Sequence, residues 1–202
     1  MRTTLTSLFL AALLAQASTG HAQEAQTDAE TAEESGEDET LNLNLGEPVG
    51  PKVGQTFVKT EEGDWQIRCV KAPEGRPDPC SIYQLLKDGD GNQVAEVNIF
   101  RLPEGRRVLG GATVVVPLET LLGQGVTVSV DGANERRYPF DFCNAGGCIA
   151  KIGFTPDEVG QFKRGNEGNV RVVPAAAPED EVRLVMSLTG FTAAFDSLDP
   201  VN

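Results

Sequence analysis

The feature that most constrains this chain is a two-residue hydrophobic period that recurs in short runs, each broken by Gly, Pro, Asn or Asp. Trp65, Ile67 and Cys69 alternate with Asp64, Gln66 and Arg68, as the side chains of a half-buried strand must, because successive residues point to opposite faces. Ala95, Val97 and Ile99 alternate likewise with Glu96 and Asn98, and Val126, Val128 and Val130 with Thr127 and Ser129. Tyr138, Phe140 and Phe142 do the same with Arg137, Pro139 and Asp141. Further strand-forming runs lie at Ser81 to Leu86, Val108 to Val116, Cys148 to Ile152, Val170 to Val173 and Val182 to Leu188. About nine strands with turn residues between them predict an all-β fold, an antiparallel β-sandwich or barrel-like sandwich. Helical signals are few. Thr155 can cap a helix that has Pro156 in its first turn and Asp157 and Glu158 facing the dipole, ending by Gly165. Pro117 to Leu122 offers a second short helical turn. No fixed-period repeat is present, which excludes a propeller or solenoid.

Four cysteines, Cys69, Cys80, Cys143 and Cys148, lie in this strand-rich region. Four cysteines allow three connectivities. Cys69 with Cys80 and Cys143 with Cys148 is the expected pairing, since each pair flanks a Pro- or Gly-rich connection that closes at little entropic cost. A zinc site is the rival, but the first spacer does not match a knuckle and a ligating His is wanting. No Cys-x-x-Cys occurs, so a redox role is weaker still.

Disulfides presuppose an oxidising compartment, and the N-terminus supplies a route to one. Arg2 precedes an apolar stretch from Leu5 to Ala17, followed by small residues at Gly20 and Ala22. This reads as a secretory signal, residues 1–22, cleaved after Ala22; the apolar stretch is shorter than the roughly 20 residues of an anchoring helix. Residues 23–53 form an acidic leader and linker, and residues 54–202 the folded domain. Between Gln23 and Glu47 the leader carries Glu24, Asp28, Glu30, Glu33, Glu34, Glu37, Asp38, Glu39 and Glu47, with no Lys or Arg in that span, a composition expected to stay disordered. Leu41, Leu43 and Leu45 alternate with Asn42 and Asn44 before Pro48, Gly50 and Pro51 end the pattern.

The formal net charge of -13 argues against a nucleic-acid partner. The one histidine, His21, leaves with the signal, and histidine-based catalysis or metal binding leaves with it. Neither a Gly-x-Ser-x-Gly elbow nor a phosphate-binding loop is present. Asp88-Gly89-Asp90-Gly91-Asn92 resembles a calcium loop, but Gln93 and Ile99 stand where an EF-hand needs Gly and Glu; a hairpin turn is the simpler reading. Asp64 beside Trp65 and Asp141 between Phe140 and Phe142 could suggest a glycosidase, yet strand alternation turns these acids to solvent while the rings pack. Trp65 is expected to anchor the core near Cys69. Arg106-Arg107 and Arg136-Arg137 solvate turns, or meet an anionic surface. No catalytic residue, cofactor or metal ligand is assigned.

Gly63-Asp64-Trp65 with Cys69, Val116-Pro117-Leu118 followed by Gly125-Val126, Val128 and Val130-Asp131, Pro139-Phe140 with Cys143, Gly147-Cys148 and Ala150, and Ser187-Leu188 with Gly190-Phe191 and Ala194 together resemble the invasion-associated locus B family. The resemblance runs from about Gln55 to Leu198 and leaves the acidic leader outside the family pattern. It implies a secreted or periplasmic Gram-negative protein of β-sandwich type, with some pathogenic members promoting entry into host cells, and implies no enzymatic activity, cofactor or catalytic residue. The expected function is that of an exported binding protein of the cell envelope with a protein or cell-surface partner, no nucleic acid and no transmembrane segment in the mature chain. A histidine-free hydrolase is the alternative. Contact loops are expected at Val70 to Pro79, Leu102 to Arg107 and Val173 to Asp180, which are rich in Pro, Gly or charge and lie between strands. Deleting Gln23 to Gly50 should leave the melting temperature of the domain unchanged, because no strand of the leader is expected to join the core; a large fall would show that Leu41, Leu43 and Leu45 dock.

Overall fold

The computed structural model describes residues 44–47 and 49–201. The signal, the acidic leader through residue 43 and the first two of the alternating leucines lie outside the described residues. Within them the chain forms β1 (Thr56–Glu62), β2 (Trp65–Val70), β3 (Cys80–Lys87), β4 (Gln93–Arg101), β5 (Gly110–Val116), β6 (Val126–Val130), β7 (Ala133–Tyr138), β8 (Phe142–Asn144) and β9 (Gly147–Phe154). Helix α1 (Pro156–Arg164), β10 (Glu167–Val172), β11 (Val182–Ser187) and α2 (Phe191–Asp196) complete it.

Every strand pairing is antiparallel, and the sheet curls about a single core. Strand β3 is its branch point. Ile82 pairs with Ile99 of β4 on one edge and Ile67 of β2 on the other. Lys87 pairs with Gln93 of β4 on the first edge and Val185 of β11 on the second. The sheet therefore forks into a seven-stranded arm, β1-β2-β3-β4-β5-β9-β8, and a four-stranded arm, β7-β6-β10-β11.

The alternation in the sequence sets which face of each arm is inside. Trp65, Ile67 and Cys69, then Ala95, Val97 and Ile99, then Val126 and Val128 are all buried. Val114, Val116, Ala150, Ile152, Leu184 and Met186 continue the same inner surface. Helix α1 forms where expected: Thr155 accepts from the Glu158 backbone N–H while the Glu158 carboxylate accepts from Thr155, a reciprocal capping box with Pro156 in the first turn. Val159 and Phe162 of α1 and Phe191, Ala194 and Phe195 of α2 press into the core. Phe191 joins these parts, lying edge-on to Trp65 at 5.5 Å, stacked on Phe195 at 5.6 Å and tilted against Phe162 at 5.5 Å, contacts that add to the burial of the rings.

Two local expectations are corrected, and two elements are added. The run Arg137 to Phe142 is not one strand. Pro139 has no N–H to give a ladder, β7 stops at Tyr138 and β8 restarts at Phe142, so Phe142 is 48% exposed instead of packed. The helical turn expected at Pro117 to Leu122 is a bend in which the Thr120 hydroxyl donates to the Pro117 carbonyl, and a single 3-10 turn follows at Leu122–Gln124. Strand β1 and helix α2 add to the elements read from sequence. β1 is an edge strand with a register shift between Val58 and Thr60, which breaks its alternation, and α2 spans six residues, under two turns of periodicity.

Cys69 is bonded to Cys80 and Cys143 to Cys148, and in each case the partners stand directly opposite on neighbouring strands. The first closes a separation of 11 residues and the second one of 5. Paired serine substitution of Cys69 and Cys80 should lower stability by about 2–4 kcal/mol, and substitution of Cys143 and Cys148 by clearly less. Thermal melts of the two double variants check this, and equal shifts would refute the ranking.

Candidate functional site

The fork leaves a gap that side chains must close. Between the pairs Gln66↔Tyr83 and Val185↔Lys87, residues Gln84, Leu85 and Leu86 have no strand opposite them on that edge. Gln84 sits at an inward position and is only 8% exposed. Its Nε2 donates to the carbonyls of Asp64 (3.2 Å) and Ser187 (3.1 Å), and its Oε1 accepts from the Ser187 N–H at 2.7 Å. Trp65 Nε1 donates to the same Ser187 carbonyl at 2.9 Å. Two side chains thus do the work of the missing ladder, which matters because buried backbone groups left unpaired are costly.

The turn between β1 and β2 seats on the turn before α2. Asp64 N–H donates to the Thr189 carbonyl at 3.1 Å, and the Ser187 hydroxyl donates to Asp64 Oδ2 at 2.6 Å. Gly63 and Gly190 touch here, both with positive φ, 59° and 83°. A Cβ on Gly63 would stand 2.5 Å from the Thr189 carbonyl oxygen, and one on Gly190 2.1 Å from that of Glu62, so neither turn tolerates a side chain.

On the outer side the gap opens as a cleft of about 570 Å³, with Asp64, Gln66 and Arg68 on one wall, Tyr83, Gln84, Leu85 and Lys87 along β3, and Gln93, Val185 and Ser187 closing it. Its polar groups form a relay. Gln66 Nε2 donates to Glu61 at 2.9 Å, and Gln66 Oε1 accepts from Arg68 Nε (3.0 Å) and Nη2 (2.7 Å). The Arg68 guanidinium lies over the Tyr83 ring, 3.2 Å from its centre, and the Tyr83 hydroxyl donates to Glu96 Oε2 at 3.0 Å. Burial, then the Glu96 carboxylate, push the Tyr83 phenol above its ordinary pKa, so it stays a neutral donor at physiological pH.

Beside the cleft, sharing Leu85 and Gln93 with it, runs a groove of about 400 Å³ that includes Val94, Glu96, Val115 and Pro117. The register carries the apolar row outward from Val115 to Ile149 and Phe142, and Lys151 Nζ stands 5.5 Å from the Phe142 ring centre. None of the salt bridges among the described residues involves Arg68, Lys87 or Lys151.

The carboxylates singled out from the sequence do not converge. Asp64 lines the cleft and is held by Ser187, whereas Asp141, ahead of β8, accepts from the Lys151 backbone N–H at 2.9 Å. Asp88 organises the β3–β4 hairpin, its Oδ1 accepting from the N–H groups of Asp90 and Asn92. No cluster of three or more metal-ligating side chains occurs among the described residues. Of the expected contact loops, Val70 to Pro79 lines a mostly apolar groove of about 750 Å³ with Val53 and Gly54. Asp78 pins that loop by accepting from the Ala72 N–H (2.7 Å) and Lys71 Nζ (3.2 Å), which hold its carboxyl below the usual range. Leu102 to Arg107 and Val173 to Asp180 take no part in the fork cleft. Sequence reading missed the fork; its one signal was Gln84, a polar residue at an inward strand position.

The sequence profile of a family described as "Invasion associated locus B (IalB) protein" matches residues 65–199. Two relatives, each named an invasion protein B homolog, from Brucella abortus strain 2308 and from Brucella abortus biovar 1 strain 9-941, are 31% identical over 145 residues, covering 72% of this chain and 81% of theirs. The crystal structure of invasion associated protein b from Bartonella henselae shares the fold, with a TM-score of 0.55 at 23% identity over 68% of this chain and 91% of that one. Replacing Gln84 by Leu should cost about 1–3 kcal/mol, because the Ser187 N–H loses its acceptor in a part-buried setting. Trp65 is the single tryptophan and bonds the same carbonyl, so its emission should shift along with the melting temperature; an unchanged melt would show that the fork does not depend on Gln84.

Proposed function

The chain belongs to the invasion-associated locus B family, and from that premise we propose that it is an exported, non-catalytic binding protein of the bacterial cell envelope whose working surface is the outer face of the seven-stranded arm. The observation that carries this reading is the division of labour between the two faces. Both helices pack into the core on the inner side, while the outer side keeps a polar cleft, an apolar row and cations that form no ion pair among the described residues. A rigid disulfide-bonded sheet with such a face suits recognition.

Export is supported by the signal-like N-terminus and by two disulfides in the fold. No helix among the described residues is long and apolar enough to cross a membrane. The edges of the sheet are poorly suited to adding a partner strand. β1 shifts register beside Lys59, β7 shifts register and exposes Glu135, Arg136 and Arg137, and β8 is three residues long; register shifts, charge and short length blunt an edge. The face is therefore favoured over the edges. The relatives' names tie them to invasion, and a role of this kind for the present chain stays with the proposal.

Expressed with its own N-terminus in a Gram-negative host, the protein should appear in the periplasmic or envelope fraction with Gln23 as its first residue. Replacing Phe142 by Ser together with Val115 by Thr should weaken its association with envelope or cell-surface material about fivefold or more, in line with removing central apolar contacts of an interface, without changing its circular dichroism. Retention in the cytoplasm, or association indifferent to these changes, would overturn the reading. So would turnover of an ester, glycan or peptide by pure protein that Asp64→Asn abolishes.

A further inference from the structure

We propose that the fork cleft and its adjoining groove bind an acidic peptide segment, taking a carboxylate side chain against Arg68 and Lys87 and an aliphatic or aromatic side chain over Leu85, Val94 and Val115. The inference rests on the outer face being the binding face and gives that face a ligand class.

Arg68 carries the argument. Its guanidinium is held flat against Tyr83 and gripped along one side by Gln66, which Glu61 holds in turn, while Tyr83 is anchored by Glu96. Five N–H groups are available to a guanidinium, and Gln66 takes one on Nε and one on Nη2. The remaining donors on Nη1 and Nη2 form a fork-shaped edge, and no salt bridge among the described residues occupies it. An arginine fixed in this way loses little entropy on binding a carboxylate. Lys87, also without an ion pair among the described residues, lines the same cleft. The cleft's one carboxylate, Asp64, is engaged by the Ser187 hydroxyl. Glu61 and Glu96, the carboxylates beside the cleft, are likewise engaged, by Gln66 and Tyr83, so the guanidinium edge of Arg68 is the charge left open to an anion among the described residues.

The neighbouring groove selects the kind of anion. Arg68 pairs with Ser81, four residues before Leu85 on the same strand and so about 13 Å away, which an extended peptide covers in roughly four residues. The amide of Gln93 offers a donor and an acceptor to the peptide backbone between the two anchors. A sulfated glycan has no use for the apolar row. An anionic bilayer calls for a broad cationic surface, and here Asp64 lines the cleft and Glu61 and Glu96 flank it, leaving room for a single carboxylate at Arg68 and none for a broad anionic surface.

The test is fluorescence anisotropy of the full mature chain with a fluorescein-labelled probe, Gly-Ser-Asp-Ser-Gly-Leu-Phe-Ser-Gly. Saturable binding is expected. Exchanging Asp for Asn in the probe, or Arg68→Gln in the protein, should each weaken it about tenfold or more, the order of a lost charge-assisted pair. Lys87→Gln should weaken it about threefold, as a less fixed cation would, and Arg183→Gln, on the other arm, should change nothing. Unaltered melting temperatures separate these effects from misfolding. Absence of saturation, equal binding of the Asn probe, or indifference to both Arg68 and Lys87 would overturn the proposal. So would tighter, Arg68-dependent binding of heparin fragments or phosphatidylglycerol vesicles, which would assign the cations to a glycan or a membrane. If the probe fails while envelope association still depends on Phe142 and Val115, the ligand class alone is wrong; if that dependence is absent too, the binding face is wrong.

Discussion

The backbone of Ser187 is the point on which the structure turns. Its carbonyl accepts from Trp65 and Gln84, and its N–H donates to Gln84, so the last strand is fastened to the first half of the domain by side chains instead of a ladder. Without that fastening β11 would meet β3 only at the Val185–Lys87 pair. The Trp65–Phe191 contact, the mutual seating of the two glycine turns and the outer cleft all follow from holding the two arms at this separation. A fully paired sheet would have no cleft; an unpaired gap without Gln84 would bury backbone groups with no partners.

This arrangement also explains why segments far apart in sequence share one set of motifs. Gly63-Asp64-Trp65 and Ser187-Leu188-x-Gly190-Phe191 are the two sides of a single contact. Trp65 is large because it spans from the sheet to α2, and Gly190 is small because the Glu62 carbonyl leaves no room for a side chain. Arg68 and Tyr83 point away from the core on strands whose alternate residues face inward, while Asp64 and Ser187 belong both to that contact and to the lining of the cleft. Core and outer cleft therefore occupy opposite faces of the same strands, and Asp64, Gln84 and Ser187 couple them.

Much of the fold was legible because period two is decisive where one face is buried. Trp65, Val97 and Val128 follow it, and α1 follows from its capping residues. The sequence was silent where the pattern is interrupted by local geometry: the register shift in β1, the break at Pro139 that exposes Phe142, and the brevity of α2. The candidate site was harder to read. Strand alternation says that Arg68 and Tyr83 face out, but not that β2 abandons β3 after Gln66 and that β11 takes over at Lys87. That is a fact of pairing between distant segments, and a single sequence carries it only as one glutamine in an inward position.

The fastening at Ser187 has a temporal side as well. Trp65 lies 122 residues before the carbonyl it binds, and Gln84 lies 103 before it. A chain made from its N-terminus has both side chains waiting, along with the inner face of the seven-stranded arm, until almost the whole domain has been delivered. Pairings of such long range form slowly and leave apolar surface open meanwhile. The final segment thus acts as a latch, and a chain that stops short of it lacks the contact that closes the fork.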